Sequence, residues 1–290
     1  MKFITFERDG AALPGLWLGE GRIADLGDAF GSVLDVIDAG EEGRKAARRL
    51  ATDEAINLSA AGVRLLAPIP RTRKNVFCVG RNYAEHVKEG ARFAGASEVK
   101  LPEVPQFFTK APTAINAPGD PVRLDEGVTR FLDYEVELAV VIGKAGRDIP
   151  RERAYEHVFG YTIANDITAR DLQRRHDQWF KGKSLDNSLP LGPWIVDADE
   201  IGDPTTLELS LTVNGEERQR ATTSMMIFDI PAIIASLSAG MTLEAGDVIA
   251  TGTPSGVGYA MTPPQGLKDG DVVVARIDRI GELVTPIKAV

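Results

Sequence analysis

The chain carries one cysteine, Cys78, among 290 residues, so no intrachain disulfide and no thiolate metal site can be built from it. Histidine is almost as scarce, with three in all. Basic residues are in deficit: 33 Lys and Arg against 42 Asp and Glu give a formal net charge of −9. That balance argues against nucleic acid or an anionic membrane as the main partner, while leaving room for a local basic pocket that takes a small anion. No basic and apolar leader precedes Phe3, and no apolar run approaches a membrane span, so the expectation is a cytoplasmic protein of a reducing compartment. Nothing repeats at a solenoid period. What is present is ordinary for a globular chain, 43% hydrophobic and 26% charged, with 29 Gly and 17 Pro feeding many turns. The length allows one or two domains and a sizeable core.

The rest of the chain is organised around Asp133-Tyr-Glu-Val-Glu-Leu-Ala-Val-Val-Ile-Gly143. Read as a strand, it places Tyr134, Val136, Leu138, Val140 and Ile142 on one face. The other face begins with Asp133, Glu135 and Glu137 and turns apolar at Ala139 and Val141. Two adjacent carboxylates on a mostly buried strand are costly unless a cation or protons share the site. An oxygen-only pair suits a hard divalent ion such as Mg²⁺, Mn²⁺ or Ca²⁺. A solvated strand face is the competing reading.

Residues 1–70 look like a small module of short strands (Met1–Glu7, Leu13–Leu18, Arg22–Leu26) broken by Asp-Gly, Pro-Gly and Gly-Glu-Gly turns. A charged helical segment occupies Glu41–Leu50 within Asp38–Leu58. The Pro-interrupted stretch Leu66–Pro70 marks a boundary, giving domains 1–70 and 71–290. Next, Asn75–Gly80 reads as a buried strand, and Asn82 with Glu85 has the form of a capping box opening a helix. On that helix His86 and Glu89 lie three apart and can touch; a carboxylate beside an imidazole orients it and raises its basicity, as a general base requires. A surface contact is the alternative. His157 and His176 lie in charged, helix-like surroundings without such a partner. Gly90–Pro105 has no clear period and is a lid candidate. Pro105–Lys110 is a strand ending in Lys110, either a ligand-facing lysine or an exposed strand end.

Beyond the acidic strand, Phe159–Asn165 is a strand leading into Asp166–Phe180, where Thr168 and Asp171 have the form of a capping box opening a helix just after Asp166. Asp166 then sits where strand ends commonly hold ligands. Arg170 and Gln173, three apart, can face one cavity, and Lys181-Gly-Lys183 is a compact turn presenting lysines. Further strands are expected at Pro190–Val196, on both sides of the Asn214-Gly215 hairpin turn, at Asp271–Ile277 and at Glu282–Pro286. Ile227–Ser238 reads as a helix with Pro231 in its first turn. Gly246–Gly258 reads as a strand running into a glycine-rich loop. Pro254 interrupts any dinucleotide fingerprint there, leaving a tight loop whose amides approach a ligand, or a plain turn. The fold class is α+β, mainly β.

Taken together, residues 71–290 resemble the fumarylacetoacetate hydrolase family. The resemblance rests on Gly80-Arg-Asn-Tyr-x-x-His86 with Glu89, Asp133-Tyr-Glu-Val-Glu-Leu, Asn165-Asp-x-x-Ala-Arg-Asp-x-Gln173, Gly182-Lys-Ser and Thr251-Gly-Thr-Pro254, in family order. It implies a mixed β-roll, a homodimer, a small N-terminal α/β domain, and one Mg²⁺ or Mn²⁺ per subunit on Glu135, Glu137 and Asp166. By the same resemblance His86, Glu89 and Lys183 are catalytic, and Arg170, Gln173, Lys110 and Thr253 bind substrate. Val79 stands where the larger fumarylacetoacetases place a further metal-binding aspartate, which points to the acylpyruvase branch.

The expected reaction is hydrolysis of an acylpyruvate, such as fumarylpyruvate or maleylpyruvate from aromatic breakdown, to pyruvate and a carboxylic acid. His86, aided by Glu89, would take a proton from water, and Lys183 and Gln173 would stabilise the oxyanion. Decarboxylation of oxaloacetate or isomerisation of a 2-hydroxymuconate-type dienoate could use the same residues. A binding protein without activity is the reading from outside enzymology. The stretches 90–105 and Tyr259–Gln265 are expected to choose the distal group.

Overall fold

A computed structural model of the protein describes residues 1–53 and 57–290. The first strands are β1 (Lys2–Arg8), β2 (Ala11–Gly19) and β3 (Arg22–Asp25). Asp9-Gly10 and Glu20-Gly21, all at positive φ (52°, 77°, 52° and 69°), make the tight turns that let these strands fold back as hairpins. Helices α1 (Val33–Asp38) and α2 (Gly40–Leu50) follow, and then β4 (Asn57–Ser59) and β5 (Arg64–Leu66). The helical expectation thus holds for Glu41–Leu50; three residues of the wider span Asp38–Leu58 lie outside the described residues.

Next come β6 (Val76–Gly80), α3 (Ala84–Phe93), β7 (Gln106–Lys110), β8 (Ile115–Asn116), β9 (Val122–Leu124), β10 (Leu132–Asp133), β11 (Val136–Ile142), β12 (Val158–Asn165) and β13 (Thr168–Ala169). Helices α4 (Arg170–Arg175) and α5 (Phe180–Lys183) lead to β14 (Leu189–Asp197) and α6 (Ala198–Ile201). The chain closes with β15 (Glu208–Val213), β16 (Glu216–Thr222), α7 (Ile230–Ser238), β17 (Val248–Ala250), β18 (Val272–Ile277) and β19 (Gly281–Ala289). Asp229 caps α7 by accepting from the Ala232 N–H at 2.9 Å, and Pro231 sits in its first turn.

The large sheet runs β4-β3-β2-β1-β14-β12-β11-β17-β6-β7, with β5 added on β1 and β8 on β14. A second sheet has the order β16-β15-β18-β19-β9, and β10 with β13 forms a short ribbon. The architecture is therefore mainly β with short helices, as the composition and turn signals imply. Residues 1–70 share the large sheet with the rest of the chain: β1 pairs antiparallel with β14, Phe3 opposite Ile195.

Strand β11 lies between β12 and β17 with every residue buried. Leu138, Val140 and Ile142 pack into a core shared with Leu209, Leu211 and Ile233 of the second sheet and α7. Ala139 and Val141 face a different core, which holds Phe3, Val36 and Ile37. The strand is thus covered on both faces, as its apolar far end requires. One correction applies: Asp133–Gly143 is not a continuous strand. It breaks at Tyr134 and Glu135, because the Glu135 and Val136 N–H groups donate to the side-chain oxygens of Asn165 and Gln219 instead of to a neighbouring backbone.

Neither capping box forms. Asn82, fully buried, donates to the Phe228 and Thr251 carbonyls and accepts from the Phe228 N–H, so α3 begins after Tyr83 without a side-chain cap. Thr168 donates to the Asp166 carbonyl, while Asp171 accepts from Thr129 and from the Arg130 and Leu172 N–H groups. Long-range partners claim Asn82 and Asp171, while Thr168 turns back to the carbonyl two residues before it. The helix expected to open at Thr168 is in fact two short helices, α4 and α5, and α3 takes Gly90–Phe93 from the expected loop.

Candidate metal centre and its cavity

The hairpin of β11 and β12 assembles the acidic centre. Val136 pairs with Asn165, and the Asp166 N–H donates to the Glu135 carbonyl at 2.8 Å. That register brings Asp166, just past the end of β12, beside the glutamates at the start of β11. Ligand oxygens of Glu135, Glu137 and Asp166 all lie within 4.8 Å of one another, and all three residues are buried.

Cations compensate part of this charge. Lys183 reaches Glu135 Oε2 at 2.8 Å and Asp166 Oδ2 at 2.6 Å. Lys110 Nζ lies 2.8 Å from Asp166 Oδ1 and donates to the Ile167 carbonyl. Arg170 pairs with Asp133 at 2.9 Å and Glu135 at 2.8 Å. Four carboxylates against three cations leave one negative charge, and it falls on Glu137, whose described hydrogen-bond partner is the Gly252 N–H. Burial, then the Asp166 and Glu135 charges, push the Glu137 carboxyl well above the usual range. Glu135 behaves oppositely: burial would raise it, but Lys183, Arg170 and His86 carry it down to about 2. A buried, oxygen-only trio with one uncompensated acid fits a hard divalent cation.

A cavity of about 570 Å³ opens on this centre. Its floor includes Glu135, Glu137, Arg170 and Lys183. His86, Gln173 and Thr253 also line it, so the structure brings these expected site residues together. His86 Nδ1 lies 2.8 Å from Glu89 Oε1, and Glu89 Oε2 accepts from the Gly256 N–H at 2.9 Å. The pairing assigns the proton to Nδ1 and leaves Nε2 as the free ring nitrogen. Gln173 Oε1 accepts from Arg170 at 3.2 Å, and the Thr253 hydroxyl donates to the Val136 carbonyl at 3.0 Å.

Lys110 is placed elsewhere: fully buried, it lies behind Asp166 and does not line the cavity. Cys78 is likewise buried behind the acids, its thiol pushed up by burial first and then by Asp166 and Glu137, so it offers no thiolate.

The glycine-rich loop after β17 does something other than offer its amides to a ligand. The N–H groups of Gly252, Gly256, Gly258 and Tyr259 donate to Glu137, Glu89, Asp133 and Asp133 in turn. The loop is a frame for the protein's own carboxylates. A Cβ on Gly256, at φ 105°, would stand 1.9 Å from the Arg218 carbonyl oxygen, so only glycine fits there. Gly182 plays a related part: a Cβ would meet the Gln173 N at 2.5 Å, so its absence lets α5 close on α4 and deliver Lys183.

Sequence reasoning missed Asp133 as the buried hub joining Arg170 to this loop, although it leads the acidic motif. Arg81, Phe93, Arg174, His176 and Trp179 also line the cavity without having been singled out. The charged sequence around His176 carries no signal for a cavity position, yet His176, at the C-terminal end of α4, lines it. The stretches expected to choose the distal group are represented in the lining by Gly90, Phe93, Ala94 and Tyr259.

Comparison with known proteins agrees with this geometry. The family profile described as fumarylacetoacetate (FAA) hydrolase C-terminal matches residues 75–288. Oxaloacetate tautomerase YisK of Bacillus subtilis (strain 168) is 48% identical over 301 aligned positions, covering 98% of this chain and 98% of its own. The solved fumarylacetoacetate hydrolase of Exiguobacterium antarcticum superposes with a TM-score of 0.86 at 46% identity, covering 100% of both chains. The solved maleylpyruvate hydrolase of Sphingobium sp. SYK-6, in complex with manganese(II) ion and pyruvate, superposes at a TM-score of 0.81 and 31% identity over 100% of this chain and 99% of its own. With a profile match over most of the chain and full-length relatives at such identity, the chain belongs to the fumarylacetoacetate hydrolase family and is an enzyme of that family.

Proposed function

We propose that the protein is a divalent-cation-dependent tautomerase of a small 2-oxo acid, interconverting the enol and keto forms of oxaloacetate. The carrying observation is that His86, oriented by Glu89, lines one cavity with Glu135 and Glu137 of the acidic trio, while among the described residues no serine or cysteine lines it. Thr253 supplies its aliphatic hydroxyl, and that group is already donated to a carbonyl. Proton transfer needs a base and an acid on one atom but no covalent intermediate, which this lining provides. The 48% identity to an oxaloacetate tautomerase supports this reading over the hydrolysis that the sequence motifs imply.

A divalent cation held by Glu135, Glu137 and Asp166 would supply Lewis acidity toward the 2-oxo group. His86 Nε2 is the atom that carries a proton to and from C3. Glu89 holds Nδ1–H, keeps the ring in one orientation and steadies the imidazolium once formed. Lys183 keeps its ammonium charge: burial opposes it, but Asp166 and Glu135 raise its affinity for the proton. It and the Gln173 amide are placed to meet charge on the C2 oxygen. Phe93, Phe108 and Trp179 give the cavity apolar walls that thin out water around the enol.

A second reading, hydrolysis of an acylpyruvate, is favoured by the cavity volume of about 570 Å³, more than a four-carbon acid fills, and by the likeness to a maleylpyruvate hydrolase. In it the same Nε2 takes its proton from water. The test is enol loss from oxaloacetate followed by ultraviolet absorbance, beside pyruvate release from acetylpyruvate and maleylpyruvate, with Mg²⁺, with Mn²⁺ and with EDTA. Metal-dependent enol loss that falls about 10²–10⁴-fold in His86→Asn is expected. Pyruvate release from the diketo acids without acceleration of the enol–keto step would replace the tautomerase by the hydrolase.

A further inference from the structure

We infer that Arg174 is the anchor for a second carboxylate, so that the cavity selects dicarboxylic 2-oxo acids over monocarboxylic ones. This rests on the 2-oxo acid reading above and names the residue that sets its substrate class. Arg170 and Arg174 lie one turn apart on α4, and i, i+4 positions share a helix face. Their circumstances differ. Arg170 is buried and bound to Asp133, Glu135 and Gln173. Arg174 is exposed to the cavity, and among the described residues no carboxylate pairs with its guanidinium. It is nevertheless held in place: the guanidinium lies 4.9 Å from the Phe93 ring centroid and 5.7 Å from that of Tyr259. Those two rings pack edge to face at 5.2 Å, and Arg170 covers Tyr259 at 4.4 Å.

A guanidinium stacked on aromatic faces keeps its in-plane N–H donors free, the geometry that binds a carboxylate in bidentate fashion. Four residues of helix carry Arg174 roughly 6 Å beyond Arg170 along the axis. One end of a 2-oxo acid therefore sits over the acidic floor while a carboxylate at its other end meets Arg174. Arg81, which also lines the cavity and lies 5.9 Å from the Trp179 ring, adds positive potential, partly offset by Asp177. In a chain of net charge −9 this is the local basic pocket that composition alone left open.

The experiment compares binding of 2-oxoglutarate, a stable 2-oxo diacid, with that of pyruvate, by calorimetry on the Mg²⁺-loaded full-length protein. Wild type, Arg174→Met, Arg174→Lys and Arg81→Met are used. Arg174→Met is expected to weaken 2-oxoglutarate by about 10- to 100-fold and pyruvate by less than about twofold, because one charge-assisted contact is lost. Arg174→Lys should fall between, keeping the charge and losing the fork. Equal weakening of both ligands, or no weakening of either, overturns the inference; so does a selective loss in Arg81→Met in place of Arg174→Met. Melting curves of the variants show whether they fold. Enol–keto turnover by wild type is read separately, so a selective diacid loss in a protein inactive on oxaloacetate leaves the anchor standing and removes only the tautomerase reading.

Discussion

Glu137 is 1% exposed, and among the four carboxylates of the centre it is the one with no cationic partner among the described residues. Its substitution should therefore separate function from stability. Glu137→Gln removes an uncompensated buried charge and a ligand together. Expected are loss of stoichiometric divalent ion after desalting, read by metal analysis, and a melting temperature in EDTA no lower than wild type. Stoichiometric metal in the variant would remove Glu137 from the ligand set. Asp171 gives a pH test away from the ligands. Burial raises its carboxyl, but hydrogen bonds from Thr129, Arg130 N–H and Leu172 N–H outweigh this and hold it below 3.8. A lowered folded pKa means stability that is present above the unfolded value and lost as pH falls through the folded one. Wild type should outmelt Asp171→Asn at pH 6, with the gap closing below pH 3.8; a gap constant from pH 6 to 3 would remove the charge from the account.

At the level of elements, the loop from Thr251 to Tyr259 does most to connect separate parts of the chain. It holds Glu137 of β11, Glu89 of α3 and Asp133 of β10 through its amides. Gly256→Ala must displace the Arg218 backbone or the loop itself, since the added Cβ would lie 1.9 Å from a carbonyl oxygen. The Gly256 N–H then leaves Glu89, and Glu89 no longer holds His86. Turnover is expected to fall about tenfold or more with metal content unchanged, read by kinetics beside metal analysis. Unaltered kinetics would show that the imidazole needs no such frame. Local rules were least reliable in this neighbourhood. Asn82 and Asp171 stand at helix-capping spacing, yet their side chains bind distant segments, because a buried polar group must find its partner wherever the fold puts one.

For the whole molecule the telling feature is the large sheet, in which strands from residues 1–70 run on through β14, β12 and β11 to β7. Phe3, Val36 and Ile37 pack in one cluster with Ala139, Val141, Phe159 and Ile195. Removing residues 1–70 uncovers that cluster and the pairing edge of β14. The fragment 71–290 should aggregate or melt well below the intact chain, whereas the intact chain should unfold in one transition, as followed by circular dichroism. A soluble fragment melting with the intact protein would show that the two parts are energetically separate. Saturating Mg²⁺ or Mn²⁺ should raise the melting temperature, and EDTA should abolish the rise, since an ion bound only by the folded state stabilises it by about 2.7 kcal/mol at a hundred times its dissociation constant.

The amino-acid order by itself determined most of the longer strands, the hairpin turns, the pairing of Glu135 and Glu137 where β11 begins, and the His86–Glu89 contact. Each depends on neighbours within a few residues, where side-chain periodicity and helix spacing decide who meets whom. It also carried the family through motifs scattered from Gly80 to Pro254. Only the tertiary structure decided that Lys110 stands behind Asp166 and not in the cavity, that Asp133 is a buried hub, and that the glycine loop frames carboxylates. It alone showed that among the described residues no carboxylate pairs with Arg174 at the cavity, while Arg170, one turn away, pairs with Asp133 and Glu135. Those outcomes turn on which distant segment lies opposite a given side chain, and on how buried charges share the partners within reach.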